Sequence, residues 1–217
     1  GNGNKLEILK KIYPNIFLTI LMTVSIFLFY KSYTLLGIAG ISLAFWIISN
    51  NLMLLYKRKF TYSLGVIIAH LGVGLLILGI TASSIWQIEK IATMKINSEV
   101  QINNYKIKFN QIKEVKGPNY LALQGNFIIS DNKNNIITTL KPQNRFYPIA
   151  SIFTTEPSIH VTLLRDLYIV LGEGNLKDGW IIRLYYNPLV IWIWIGAFVI
   201  FIGGIISLNN NLRKLPR

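Results

Sequence analysis

Tyr62–Trp86 reads YSLGVIIAHLGVGLLILGITASSIW, and the fold turns on how this stretch is read. A helical crossing of a bilayer needs roughly 20 mainly apolar residues; the run is long enough and carries no Lys, Arg, Asp or Glu. Its single ionisable group is His70. An imidazole within hydrocarbon is costly unless it is bonded, so an intramembrane histidine is a functional-site candidate whose partner has to be named.

On a helix, Val66, Gly74, Ile77 and Thr81 share the face of His70. Gly74, one turn away, removes the side chain that would obstruct a flat ligand. A narrow histidine-plus-glycine surface between helices suits a planar macrocycle. Gly65, Gly72 and Gly79 recur on a different face and are expected to serve helix packing. The residues alone leave three roles open for His70: a hydrogen bond to a neighbouring helix, axial ligation of haem iron, or proton transfer and transport.

The rest of the composition agrees with a membrane setting. Hydrophobic residues make up 52% and charged residues only 14%, with a mean hydropathy of +0.45, outside the range of ordinary soluble domains. The formal charge of +13 does not point to nucleic acid. Apart from Glu7, every Asp and Glu lies between Glu89 and Asp178, whereas the excess Lys and Arg flank the apolar spans. That is a topological charge bias, not a basic face for phosphates. With no Cys in the chain, structural disulfides, thiolate metal sites and thiol redox chemistry are excluded from it.

About four transmembrane helices are expected. Residues 1–87 would hold three, at about 15–31, 34–56 and 62–86, with Pro14 in the first turn of the first. Asn50 and Asn51, late in the second, are expected to bond to a neighbouring helix. Residues 187–217 would supply the last helix and a basic cytoplasmic tail. Lys5, Lys10 and Lys11, the turn Lys57-Arg58-Lys59, and Arg213, Lys214 and Arg217 all fall on one side of such a topology. The positive-inside rule makes that side cytoplasmic and puts 88–186 on the opposite, trans side.

Residues 88–186 read as β structure. Tyr105, Ile107 and Phe109 alternate with Lys106 and Lys108, and Asp131–Asn135 is a turn between the runs Gly125–Ser130 and Ile136–Leu140. Val161–Leu171 and Trp180–Tyr186 supply further strands around a polar turn at Gly172–Gly179. The fold class is therefore a membrane α-helical protein with an inserted β-rich extracytoplasmic domain, a small antiparallel barrel or sandwich.

Five motifs in order, AHLGVGLLILGI (Ala69–Ile80), KGPNY (Lys116–Tyr120), NRFYPIASIFTTEPSI (Asn144–Ile159), RDLYIVLGE (Arg165–Glu173) and GWIIRLYYNPLVIWIWIGA (Gly179–Ala197), closely resemble the C-terminal portion of the CcmF family. These are haem lyase components of cytochrome c maturation; a related haem lyase serving nitrite reductase looks similar here. The resemblance implies a structural or redox haem b held by transmembrane histidines, one of them at the HLG position matched by His70, with Gly74 beside it. The second axial ligand would lie outside this chain, because the family's tryptophan-rich haem-handling loop and its flanking histidines have no match here. The chain is then expected to be a fragment or a split-gene product, with no catalytic residue of its own.

The activity implied is thioether attachment of haem to the CxxCH motifs of apocytochrome c. Partners implied are the upstream half of the lyase, apocytochrome c and its presenting subunit, and a haem chaperone, in a bacterial or mitochondrial inner membrane with 88–186 facing the periplasm or intermembrane space. The alternative is a non-catalytic scaffold whose β domain docks assembly partners. Arg145, Arg165 and Arg183 could meet haem propionates, but local pairing with Glu156, Asp166 and Glu173 is the favoured expectation. His160 is expected to be structural, and Trp192 and Trp194 to be interfacial or packing aromatics.

Overall fold

The computed structural model describes residues 5–29, 34–56 and 64–212, with side chains from 12–28, 34–56 and 64–209. Lys57, Arg58, Lys59, Arg213, Lys214 and Arg217, and the side chains of Lys5, Lys10 and Lys11, lie outside the described residues. The elements in chain order are helices α1 (Lys5–Phe29), α2 (Leu35–Tyr56) and α3 (Leu64–Ile85), then strands β1 (Ile88–Met94), β2 (Glu99–Ile102), β3 (Tyr105–Lys116), β4 (Leu121–Asp131) and β5 (Ile136–Leu140). They continue with β6 (Gln143–Tyr147), β7 (Ile152–Glu156), β8 (Ser158–Val161), β9 (Arg165–Asn175), β10 (Gly179–Pro188) and helix α4 (Val190–Leu212). The chain divides into two compact units, Gly1–Trp86 with Leu189–Arg217, and Gln87–Pro188.

In the first unit α2, α3 and Val190–Asn209 of α4 are long and apolar enough to cross a membrane, and α1 contributes the shorter apolar stretch Ile12–Leu28. The first helix begins at Lys5, so Pro14 sits inside it and not in its first turn. Small residues set the packing. Extra side chains at Gly65, Gly72 and Gly79 would run into the backbone of α4 at Ser207, Ile200 and Ile193, at 2.4, 2.6 and 2.8 Å. Gly196 and Gly203 of α4 return the contact against Leu76 and Ala69. A seven-residue glycine repeat thus lets two antiparallel helices approach to backbone contact, as sequence spacing suggests.

A polar seam joins α1 to α2. Asn15, Thr19 and Thr23, four residues apart, are buried; Asn15 donates to the Asn50 amide oxygen, and Thr23 meets Ser42 at 3.3 Å. Of the two asparagines expected to reach a neighbouring helix, Asn50 does so, while Asn51 donates to Ile47 O of its own helix at 2.8 Å.

The second unit is two antiparallel sheets with separate strand orders, β1-β10-β9-β8 and β2-β3-β4-β6-β7, with β5 also on β4. This decides for a sandwich. Alternation turns Leu167, Ile169 and Leu171 of β9 and Trp180, Ile182 and Leu184 of β10 toward Ile107 and Phe109 of β3 and Phe127 and Ile129 of β4. Phe109 stacks on Phe127 at 4.6 Å and takes the edge of Trp180 at 5.7 Å. Burying each such ring contributes about 1.5–3 kcal/mol.

The expected hairpin forms, with β4 paired to β5 and Asp131 accepting from Lys133 N and Asn135 N in the turn. The run Val161–Leu171 is not one strand. It breaks at Thr162–Leu164, where Thr162 N donates to Arg165 O, and β8 folds back on β9. Gly179, with φ of 93° and Met94 O against it, is a position where only glycine fits without strain.

Candidate functional site

Helix α3 is packed on two sides. Its Gly65–Gly72–Gly79 face meets α4, and its Gly74 face meets α2, where an added Cβ would lie 2.6 Å from Ile48 Cγ1. The face left between them carries Val66, His70, Val73 and Ile80, with His70 and Ile80 exposed and the valines half-buried. His70 Nδ1 lies 2.7 Å from Val66 O. A carbonyl only accepts, so Nδ1 carries the proton and donates, and the lone pair is left on Nε2.

Among the described residues Nε2 has no hydrogen-bond partner. The imidazole bonds, among the described residues, to its own preceding turn and not to another helix. The arrangement would offer one nitrogen to a metal group whose other ligands come from elsewhere, with the backbone carbonyl fixing ring orientation and tautomer. Val66, Val73 and Ile77 provide apolar flanks on the same helix. No cluster of three or more His, Cys, Asp or Glu that could hold a bare metal ion occurs among the described residues.

Gly74 is buried against Ile47 and Ile48 of α2. What its missing side chain admits in this chain is a neighbouring helix.

The three arginines part company. Arg145 forms the expected ion pair with Glu156 at 3.4 Å and lies over the Tyr120 ring at 4.4 Å. The other two expected pairings do not form among the described residues. Buried Arg165 instead donates from Nε to Tyr105 Oη and from Nη1 to His160 Nδ1, both at 2.8 Å. This keeps His160 neutral; burial, with the Arg165 charge second, holds its pKa below the ordinary histidine value. Asp166 is buried with one carboxylate oxygen unpartnered, and burial pushes its pKa up. Arg183 lines a surface cavity with Glu173, Tyr168 and Tyr185. Tyr185 in turn donates to Glu89 at 2.9 Å, a bond that raises its pKa.

Trp192 packs against the cluster formed by Ile41, Phe45, Leu78 and Trp86, and Trp194 is exposed. Sequence reading missed the Asn15–Thr19–Thr23 seam, although the spacing of four was its signal. It also missed the contact of Arg165 with Tyr105, whose ring lies 4.4 Å below the guanidinium and for which no local signal exists.

A set of membrane-crossing helices interrupted by a β-sandwich, with one histidine turned out from an apolar helix, defines a class of polytopic membrane protein with an inserted extramembrane domain. Residues 85–188 match the family profile described as the CcmF C-terminal beta-sandwich. The cytochrome c-type biogenesis protein CcmF of Haemophilus influenzae is 35% identical over 147 residues, covering 68% of this chain and 22% of that protein. CcmF of Escherichia coli is 34% identical over 197 residues, or 86% of this chain and 30% of its own. NrfE of Haemophilus influenzae, another cytochrome c-type biogenesis protein, is 25% identical over 80% of this chain. A solved structure titled Cytochrome c Heme Lyase CcmF superposes with a TM-score of 0.65 over 95% of this chain and 34% of that one, at 16% identity, a likeness of fold.

The chain belongs to the CcmF family, whose C-terminal portion it matches. It spans less than a third of the length of the CcmF proteins of Haemophilus influenzae and Escherichia coli.

Proposed function

We propose that this chain is the C-terminal part of a cytochrome c haem lyase and that His70 is one axial ligand of a haem b, the second coming from sequence outside it. The observation that carries the reading is the Nδ1 bond of His70 to Val66 O at 2.7 Å, which presents Nε2 outward from a membrane-spanning helix. The carbonyl holds the ring in one tautomer. Val66, Val73 and Ile77 flank it on the same helix, and Gly74 acts at one remove by letting Ile48 close against α3. Bound haem b would supply a one-electron couple suited to keeping substrate haem reduced while vinyl groups and CxxCH thiols join.

On this reading the β unit faces the periplasm or intermembrane space, because the basic segments cluster beside the spans. The partners are the upstream part of the lyase, apocytochrome c with its presenting subunit, and a haem chaperone. The match to NrfE keeps the nitrite reductase branch of cytochrome assembly as the neighbouring possibility for substrate. A proton-relay role fits less well, since α2, α3 and α4 contain no Asp, Glu, Lys or Arg.

The test is an absorption spectrum of the complete, membrane-embedded protein. His70→Ala is expected to abolish or shift the Soret band, and His70→Gly to recover it with added imidazole. An unchanged spectrum in both variants refutes the assignment.

A further inference from the structure

The β unit carries a groove that haem ligation by His70 does not use. Strand β7 ends its sheet, and among the described residues no strand pairs with its outer edge. Exposed edges in natural sheets are commonly blocked by lysine, proline or a bulge. This one reads Ile152-Phe153-Thr154-Thr155-Glu156, and its one charge is tied to Arg145.

Phe153 and Thr155 lie on the same face of β7 and line cavities of about 720 and 690 Å³ that meet at Gly172 and Glu173. The junction is built by a bulge. Gly172 and Glu173 of β9 stand opposite the single residue Ile181 of β10, and a side chain on Gly172 would lie 2.8 Å from Ile181 O. Bulges of this kind re-aim a side chain, here Glu173 into both cavities.

The chambers differ in chemistry. The first is walled by Leu121, Leu123, Phe146 and Phe153, with Phe153 72% exposed and with Glu114 and Lys116 also in its lining. The second presents Arg183, Tyr168, Tyr185 and Asn187, and Asn187 Oδ1 is buried without a partner. Neither Arg183 nor Glu173 forms an ion pair among the described residues. A compact ligand would occupy one chamber. Two unlike chambers strung along an open strand edge suit an extended chain, which pairs its backbone with the edge and sends alternate side chains into successive pockets roughly 7 Å apart.

We propose that this groove docks an extended, unfolded segment of apocytochrome c beside β7. An apolar side chain enters the Phe153 chamber, and an acidic or carbonyl group meets Arg183. This rests on the haem-lyase reading, which makes an unfolded polypeptide the substrate; a folded partner does not offer the free backbone that the β7 edge lacks.

The experiment uses the complete protein in lipid nanodiscs and a fluorescently labelled apocytochrome c peptide containing its CxxCH motif, read by anisotropy. Phe153→Asp and Arg183→Glu are expected to weaken binding roughly tenfold or more. Ile136→Asp, on an exposed position of β5, is expected to leave it unchanged. A photo-crosslinker at Leu123 should capture the peptide. Because Phe153 is exposed, melting temperatures should stay level, and replacing a peptide carboxylate by lysine should restore binding to Arg183→Glu. Unchanged affinity in both groove variants overturns the proposal, as does crosslinking only to the protein's own upstream part. The Soret band recorded on the same samples separates the two ideas. A coloured protein with indifferent groove variants refutes the groove alone; a colourless wild type that binds peptide through Phe153 refutes the haem reading alone.

Discussion

Where α3 meets α4 the closest approaches fall at positions without side chains, Gly65, Gly72 and Gly79 facing Gly196 and Gly203. In the sandwich they fall at the largest ones, Phe109, Phe127 and Trp180. The difference follows from the solvent. Lipid is as apolar as leucine, so helices within it gain little from burying bulk and more from backbone contact and a few polar bonds such as Asn15 to Asn50. The β unit gains by removing rings from water. One unit is therefore sensitive to added atoms and the other to lost ones.

The largest effect expected is in the sandwich. Phe127→Ala should destabilise the β unit by about 3–5 kcal/mol, read as a fall in the denaturant midpoint of its transition. If the helices were equally tolerant of bulk, Gly65→Ala would be silent. An added Cβ there would lie 2.4 Å from Ser207 N, and a loss of about 1–3 kcal/mol is expected, measured by thermal aggregation in detergent. Gly204→Ala is the matching control, because nothing lies within 4 Å of the added atom; a loss as large as that of Gly65→Ala would break the contrast.

The smallest effect is a pH slope confined to the β unit. The folded pKa of His160 is depressed by burial and by Arg165. Its contribution is thus complete above the ordinary histidine value and lost as pH falls through that value toward the folded one. His160→Gln should flatten this acid-side slope. Asp166 has the opposite sign within its class, since burial raises its pKa and its ionised form opposes folding as pH rises. Asp166→Asn should raise the melting temperature at neutral pH.

The helices were legible because apolar runs declare themselves, and Gly65–Gly72–Gly79 because a repeat of seven has a simple geometric meaning. The alternation from Tyr105 to Phe109 and the turn at Asp131–Asn135 were likewise local signals. Division into two sheets was not legible, since inward alternation looks the same in either. The pairing of Arg165 with Tyr105, sixty residues apart, leaves no trace in spacing, and proximity to Asp166 suggested the wrong partner. For His70 the sequence placed Gly74 and Thr81 on its face, whereas both turn to α2. It could not say that the Nδ1 bond would go to Val66 O, nor that Gly74 would be filled by Ile48 of α2.

The ladder that joins Ile88 to Tyr186 closes the insertion at its own base. Helix α4, whose glycines complete α3, is therefore synthesised only after the intervening Gln87–Pro188. At about 5–20 residues per second that delay is on the order of 5–20 s. Throughout it the glycine side of α3 lacks the helix that completes it.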